Sequence, residues 1–181
     1  TNTASSGEMV RIPAGVFMMG SNDGEANEKP VHQVRVSAFE MDGTEVTVGA
    51  YRACVNAGRC APSSTAHWQG ATDQQTANAS KHCNWPFAGR HNHPMNCVDW
   101  NQATAYCAFV GKRLPTEEEW EYAARGTDGR TYPWGNGGPS SQLCWNGEGD
   151  DLGRGKRQST CAVGSYPSGD SPFGLHDMAG N

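Results

Sequence analysis

Seven cysteines are the residues of this 181-residue chain best equipped for chemistry: Cys54, Cys60, Cys83, Cys97, Cys107, Cys144 and Cys161. Thiolates bind soft metals, attack electrophiles and exchange disulfides, and each role needs its own surroundings. Redox catalysis favours a C-x-x-C pair or an adjacent activating base, and none of the seven has either. A zinc site would draw on Cys83, His91, His93 and Cys97, which are of ligand type and close in sequence. Their C-x7-H-x-H-x3-C spacing matches no strong zinc pattern, and nearby cysteines can pair among themselves. Disulfides are therefore the better account. The reading is of an exported protein, extracellular or, in a bacterium, periplasmic, in which the odd cysteine is free or lacks its partner.

Other reactive groupings are weak. Glu117, Glu118 and Glu119 suggest acid–base work, but Glu119 lies three residues after Thr116, as in a capping box. The other two suit the positive end of a helix. There is no G-x-S-x-G and no P-loop, so hydrolase and phosphate chemistry have no foothold. The net charge of −5, without a basic run, argues against nucleic acid and anionic membranes. No apolar stretch approaches the ~18 residues of a spanning helix.

The elements that must position these residues are short. Apolar residues make up 36% of the chain and charged ones 18%, with 23 Gly and 10 Pro, a profile of a folded, turn-rich domain. Residues 1–8 read as a loose polar tail. MVRIPAGVFMMGS suggests two strands around a Pro-Ala-Gly turn, and VHQVRVSAFEM a further strand. Thr47 can cap a helix to about Ala57, with Gly58 as its stop. Residues 59–96 show little periodicity and read as a stapled, loop-rich insertion. A helix is expected from Asn101 to Val110, and another after Thr116 that ends at Gly126. The remainder, from Thr127, is mainly turns. Trp100, Trp120 and Trp134 are expected in the core, while Trp68 and Trp85 are candidates for exposed ligand-contacting aromatics. Arg113 and Glu121 are expected to pair. The class is mixed α/β of α+β type.

Read in order, IPAGVFMMGS, FEMDGTEVTVGAY, HPMNCVDWNQATAYCAFVGKRLPTEEEWEYAARG, YPWGN and DMAGN resemble the formylglycine-generating-enzyme/sulfatase-modifying-factor family. The resemblance covers about residues 9–181 apart from the 59–96 insertion. It implies a C-type-lectin-like fold poor in regular structure. It also implies that the domain continues past DMAGN into a segment that carries two active-site cysteines. With these, catalytic members bind Cu(I) and use O2 to oxidise a substrate cysteine to formylglycine.

Some further expectations follow from that resemblance and others from the residues alone. The cysteine matching Cys107 often pairs with one near the domain's C-terminus, so its partner is expected in a further segment, on the same or a separate chain. Cys144 and Cys161 flank one glycine-rich loop and are expected to pair. For the remaining four, Cys60–Cys83 and Cys54–Cys97 are preferred, although sequence leaves connectivity open. The family holds structural Ca2+ with loop oxygens, and Asp177 and the carbonyl of Gly180 match one such motif. A second motif begins with Asn where this chain has Cys144, and Asp150 or Asp151 would supply its Asp only with a shifted alignment. A solvated turn is the simpler reading of those two. The expected function is a non-catalytic module that binds a protein, peptide or glycan. The alternative is the larger part of a copper oxidase completed by the further segment.

Overall fold

The computed structural model describes residues 7–145 and 160–181. The chain opens with β1 (Met9–Ile12) and β2 (Gly15–Met19), separated by Pro13, which cannot donate to a ladder. β3 (His32–Val36) returns antiparallel to β2, and β4 (Phe39–Asp42) antiparallel to β1. The result is two two-stranded sheets rather than one. Four α-helices follow among the described residues: α1 (Val48–Asn56), α2 (Asp73–Ser80), α3 (Trp100–Phe109) and α4 (Glu117–Arg125). The fold is thus α+β and poor in regular structure.

Helix starts are specified locally. The Thr116 hydroxyl accepts from Glu119 N at 3.2 Å, and Glu119 Oε2 accepts from Thr116 N at 2.9 Å, completing a capping box. Asp99 and Gln102 make the same reciprocal pair for α3, which therefore begins at Trp100. Thr47 accepts from Ala50 N and caps α1.

Two clusters of buried side chains hold these elements. In the first, α4 lies on β2 and β3, and Tyr122 and Ala123 pack with Ile12, Phe17, Val36 and Leu175. Tyr122 touches Phe17 and Phe173 at centroid distances of 5.4 and 5.2 Å. In the second, Tyr51 of α1 stacks on Tyr106 of α3 at 5.7 Å beside the buried Cys54. The Tyr51 hydroxyl, which would be costly to bury alone, donates to Ala61 O at 3.0 Å.

The structure departs from the sequence-based picture in several places; VHQVRVSAFEM, for instance, forms two strands, β3 and β4, rather than one. The insertion holds a helix, α2, whose DQQTANAS sequence buries nothing and so shows no apolar period. Its capping box, Thr72 with Gln75, was the available signal. Trp100 and Trp120 are 71% and 49% exposed rather than core, because Tyr106 and Tyr122 occupy the buried faces of α3 and α4. Trp68 is exposed, whereas Trp85 is half-buried edge-on against Tyr51. Arg113 pairs with Glu119 in a two-pronged contact, and Glu121 pairs instead with Arg125 one turn along α4.

The cysteines pair as Cys54–Cys60, Cys83–Cys97 and Cys144–Cys161, and Cys107 is free. The preferred Cys60–Cys83 and Cys54–Cys97 bridges are replaced by shorter loops. Gly58, at φ +68°, reverses the chain at the end of α1 and brings Cys60 within 5.3 Å of Cys54, Cα to Cα. The Cys83–Cys97 bond also occupies both sulfurs of the set that zinc would have used.

Candidate functional site

The side chains with most chemical potential gather where β4, α3 and the DMAGN turn meet. Glu45 follows β4, and Asn181 donates its Nδ2 to Glu45 Oε2 at 2.8 Å. Asn181 is itself fixed, because its Oδ1 accepts from Cys161 N at 2.7 Å and its own N–H donates to Cys144 O at 2.8 Å. The Cys144–Cys161 disulfide thus braces the turn from behind. Asp177 Oδ2 accepts from Gly164 N at 2.6 Å, and His176 Nδ1 lies 2.6 Å from Asp170. Gly180 sits at φ +86°, where a Cβ would press on Cys144 O and Leu143, so the turn needs glycine there.

Burial and the nearby Asp177 charge push Glu45 up to about 7, against the Asn181 hydrogen bond that lowers it. Glu45 and Asp177 thus set two acids near each other in a partly buried place. Sequence pointed to Asp177 and Gly180 but not to Glu45. Its only local signal is an acid placed between the apolar run of β4 and the cap of α1.

Beside the pair runs a groove of about 890 Å3 along the whole of β4. Phe39, Met41, Val110, Leu114 and Trp120 give it an apolar lining, to which Ala179 and Gly180 also belong. Cys107 opens onto this groove. Burial and the Asp42 charge push its thiol up, only partly offset by Lys112, which makes it a poor nucleophile at neutral pH. Lys112 is bound to Asp42, so the two charges largely cancel.

Tested against metals, this donor set divides. Carboxylates suit a hard cation such as Ca2+, but Glu45 and Asp177 alone fall short of the usual six to eight oxygens. Among the described residues there is no group of three His, Cys, Asp or Glu able to hold a metal ion. A copper site built from two thiolates has no fit here, since six of the seven cysteines are in disulfides. Asp150 and Asp151 lie outside the described residues.

Comparison with known proteins places this arrangement. Residues 1–181 match the family described as sulfatase-modifying factor enzyme 1-like domain. The formylglycine-generating enzyme of Streptomyces coelicolor is 37% identical over 209 residues, covering 95% of this chain and 66% of that protein. The formylglycine-generating enzyme of Bos taurus is 34% identical, covering 96% and 56%. The inactive C-alpha-formylglycine-generating enzyme 2 of the same species is also 34% identical, covering 96% and 68%. The chain thus spans 56–66% of the length of the two formylglycine-generating enzymes. Among solved structures, PvdO from Pseudomonas aeruginosa superposes with a TM-score of 0.69 at 27% identity, over 97% of this chain and 68% of that one.

Proposed function

Starting from the fact that the chain belongs to the sulfatase-modifying factor enzyme 1-like family, we propose that residues 9–181 form a binding and structural module of the formylglycine-generating-enzyme type, without oxidase chemistry of their own. Residues 59–96 are an insertion tied to the rest of the domain by the Cys54–Cys60 and Cys83–Cys97 disulfides, and most of the expected 1–8 tail lies outside the described residues. The loop-rich architecture agrees with a lectin-like scaffold, on which sites rather than fold decide function. The observation that carries this reading is the state of the cysteines: three disulfides, and one thiol whose pKa is raised rather than lowered. The relatives include both formylglycine-generating enzymes and inactive members, so the family alone does not decide between the two.

The ligand class is protein, peptide or glycan. The groove along β4 takes a further segment of the same domain, on this or a separate chain, which pairs a cysteine with Cys107. A structural Ca2+ would be held by Asp177 and the Gly180 carbonyl, with Glu45 alongside. The three disulfides support an oxidising compartment, extracellular or periplasmic.

A second reading keeps the oxidase, favoured by 37% identity to a formylglycine-generating enzyme. There the further segment brings the thiolate pair for Cu(I), and the described residues supply the scaffold. One experiment separates the two. The natural full-length protein that carries these residues is incubated with Cu(I), O2 and a cysteine-containing sulfatase peptide, and the peptide mass is followed. No aldehyde forms if the binding reading is right; catalytic conversion of the peptide by the full-length protein would sink it.

A further inference from the structure

Five lysine or arginine side chains among the described residues are half-buried: Arg52, Arg90, Lys112, Arg125 and Arg130. Three of them face an acid, Lys112 on Asp42, Arg125 on Glu121 and Arg130 on Asp128. Arg52 and Arg90 instead face aromatic rings and neutral oxygens. The Arg52 guanidinium lies 4.3 Å above the Trp85 ring and donates from Nη2 to Trp85 O at 3.1 Å. The Arg90 guanidinium lies 4.2 Å above Phe87 and donates from Nη1 to Asn84 Oδ1 at 2.9 Å.

Arg52 borders a cavity of about 420 Å3, lined also by Val48, Trp85, Pro86, Phe87, Ala88 and His91. No acid lines it. Its walls are held from both sides. The Cys83–Cys97 disulfide closes the loop, and the fully buried Asn84 donates to Pro94 O and Thr160 Oγ1 while accepting from Arg90. His91 is laid against the first turn of α1, where only Gly49 leaves room for its ring. In a chain of net charge −5, this is a prepared cationic and aromatic pocket.

We propose that this pocket binds a carboxylate carrying an apolar body. Stacking on Trp85 fixes the plane of the Arg52 guanidinium, and one carbonyl uses one of its five donors. The remaining donors form a fork that matches a carboxylate in a two-pronged contact. The apolar body lies on Pro86 and on Phe87, which is 44% exposed. Two sources share this chemistry, a free monocarboxylic acid and the C-terminal end of a peptide with an apolar last residue. The inference deepens the binding-module reading and rests on it.

Calorimetry on the full chain tests it with phenylacetate, acetyl-Gly-Phe, the same peptide as its C-terminal amide, and inorganic phosphate. Both carboxylates bind at millimolar concentration or tighter, while the amide and phosphate bind at least about tenfold more weakly. Arg52→Gln weakens carboxylate binding by about tenfold or more, and Arg52→Lys falls between, because an ammonium keeps charge without the fork. If Arg52→Gln misfolds by circular dichroism, Phe87→Ala replaces it, since that ring is largely in solvent. The free peptide binding well above phenylacetate identifies a chain end as the source; equal affinities identify a small acid. The proposal is overturned by absent saturable binding, by phosphate binding as well as the carboxylates, or by full affinity in both variants. Aldehyde formation in the copper assay with intact Arg52-dependent binding would remove the module reading and leave the pocket standing.

Discussion

Asn181 donates its side-chain amide to Glu45 across 136 positions of sequence, at 2.8 Å. Through it the DMAGN turn, the Cys144–Cys161 disulfide and the end of β4 become one unit, since Asn181 also holds Cys161 N and Cys144 O. That bond, though, lowers Glu45 less than burial and Asp177 raise it. The carboxylate is therefore under electrostatic load.

The load gives a pH dependence of definite sign. The folded pKa of Glu45 is raised, from 4.5 to about 7, so the folded state binds its proton more tightly than the unfolded state. Its contribution is fully present below 4.5 and is lost as pH rises through 7. Discounted for screening by solvent, the loss is about 1–2 kcal/mol. Urea unfolding at pH 5 and pH 8, with chelator present, should show it. Glu45→Gln should flatten the dependence, and an unchanged slope in that variant would assign the effect elsewhere.

A hard cation should relieve the same load. Added Ca2+ at pH 7.5 is expected to raise the melting temperature of the chain, and Asp177→Asn should abolish most of the rise. Stabilisation follows RT ln(1 + [L]/Kd), or about 2.7 kcal/mol at a hundredfold excess over Kd. An equal shift with monovalent salt at matched ionic strength would point to screening instead.

Disulfide removal should cost stability that rises slowly, as a logarithm, with the length of the loop closed. Replacing Cys83 and Cys97 by alanine opens a loop with a sequence separation of 14. A loss of about 3 kcal/mol is expected from chain entropy alone. The same exchange should also loosen Asn84 and the Trp85–His91 wall, which shows as faster amide exchange there. Cys107→Ala, which opens no loop, should cost far less. Equal losses in the two variants would mean that Cys107 is paired in the material tested.

Much of the fold could be read where a rule acts over three or four residues. Thr116 and Glu119 announced α4, and Thr47 with Gly58 announced α1, because capping is a contest settled within one turn. α2 escaped because a helix polar on every face leaves no apolar period. Cys144–Cys161 pair as expected, but the pairing of the other four bridged cysteines escaped for another reason: Gly58 reverses the chain so tightly that Cys60 lies beside Cys54. The family was legible from motifs, yet Glu45 and Arg52 were not, since their meaning lies in partners 136 and 33 residues away.

Tryptophan exposure leads to the last prediction. Trp100 is 71% exposed, while Tyr122 is 2% exposed and touches both Phe17 and Phe173. Area removed from water, not ring size, sets the cost of truncation. Tyr122→Ala should therefore cost about 3–5 kcal/mol, as for other buried aromatics, or prevent folding. Trp100→Ala should stay within about 0.5 kcal/mol, as for a surface change. Chemical denaturation of the two variants in parallel checks the pair. A loss above about 2 kcal/mol at Trp100 would mean that its ring is covered in solution. Size-exclusion chromatography would then show whether the cover is a second copy. If the variant chain remains monomeric and still loses that much, the Trp100 ring packs against the chain itself.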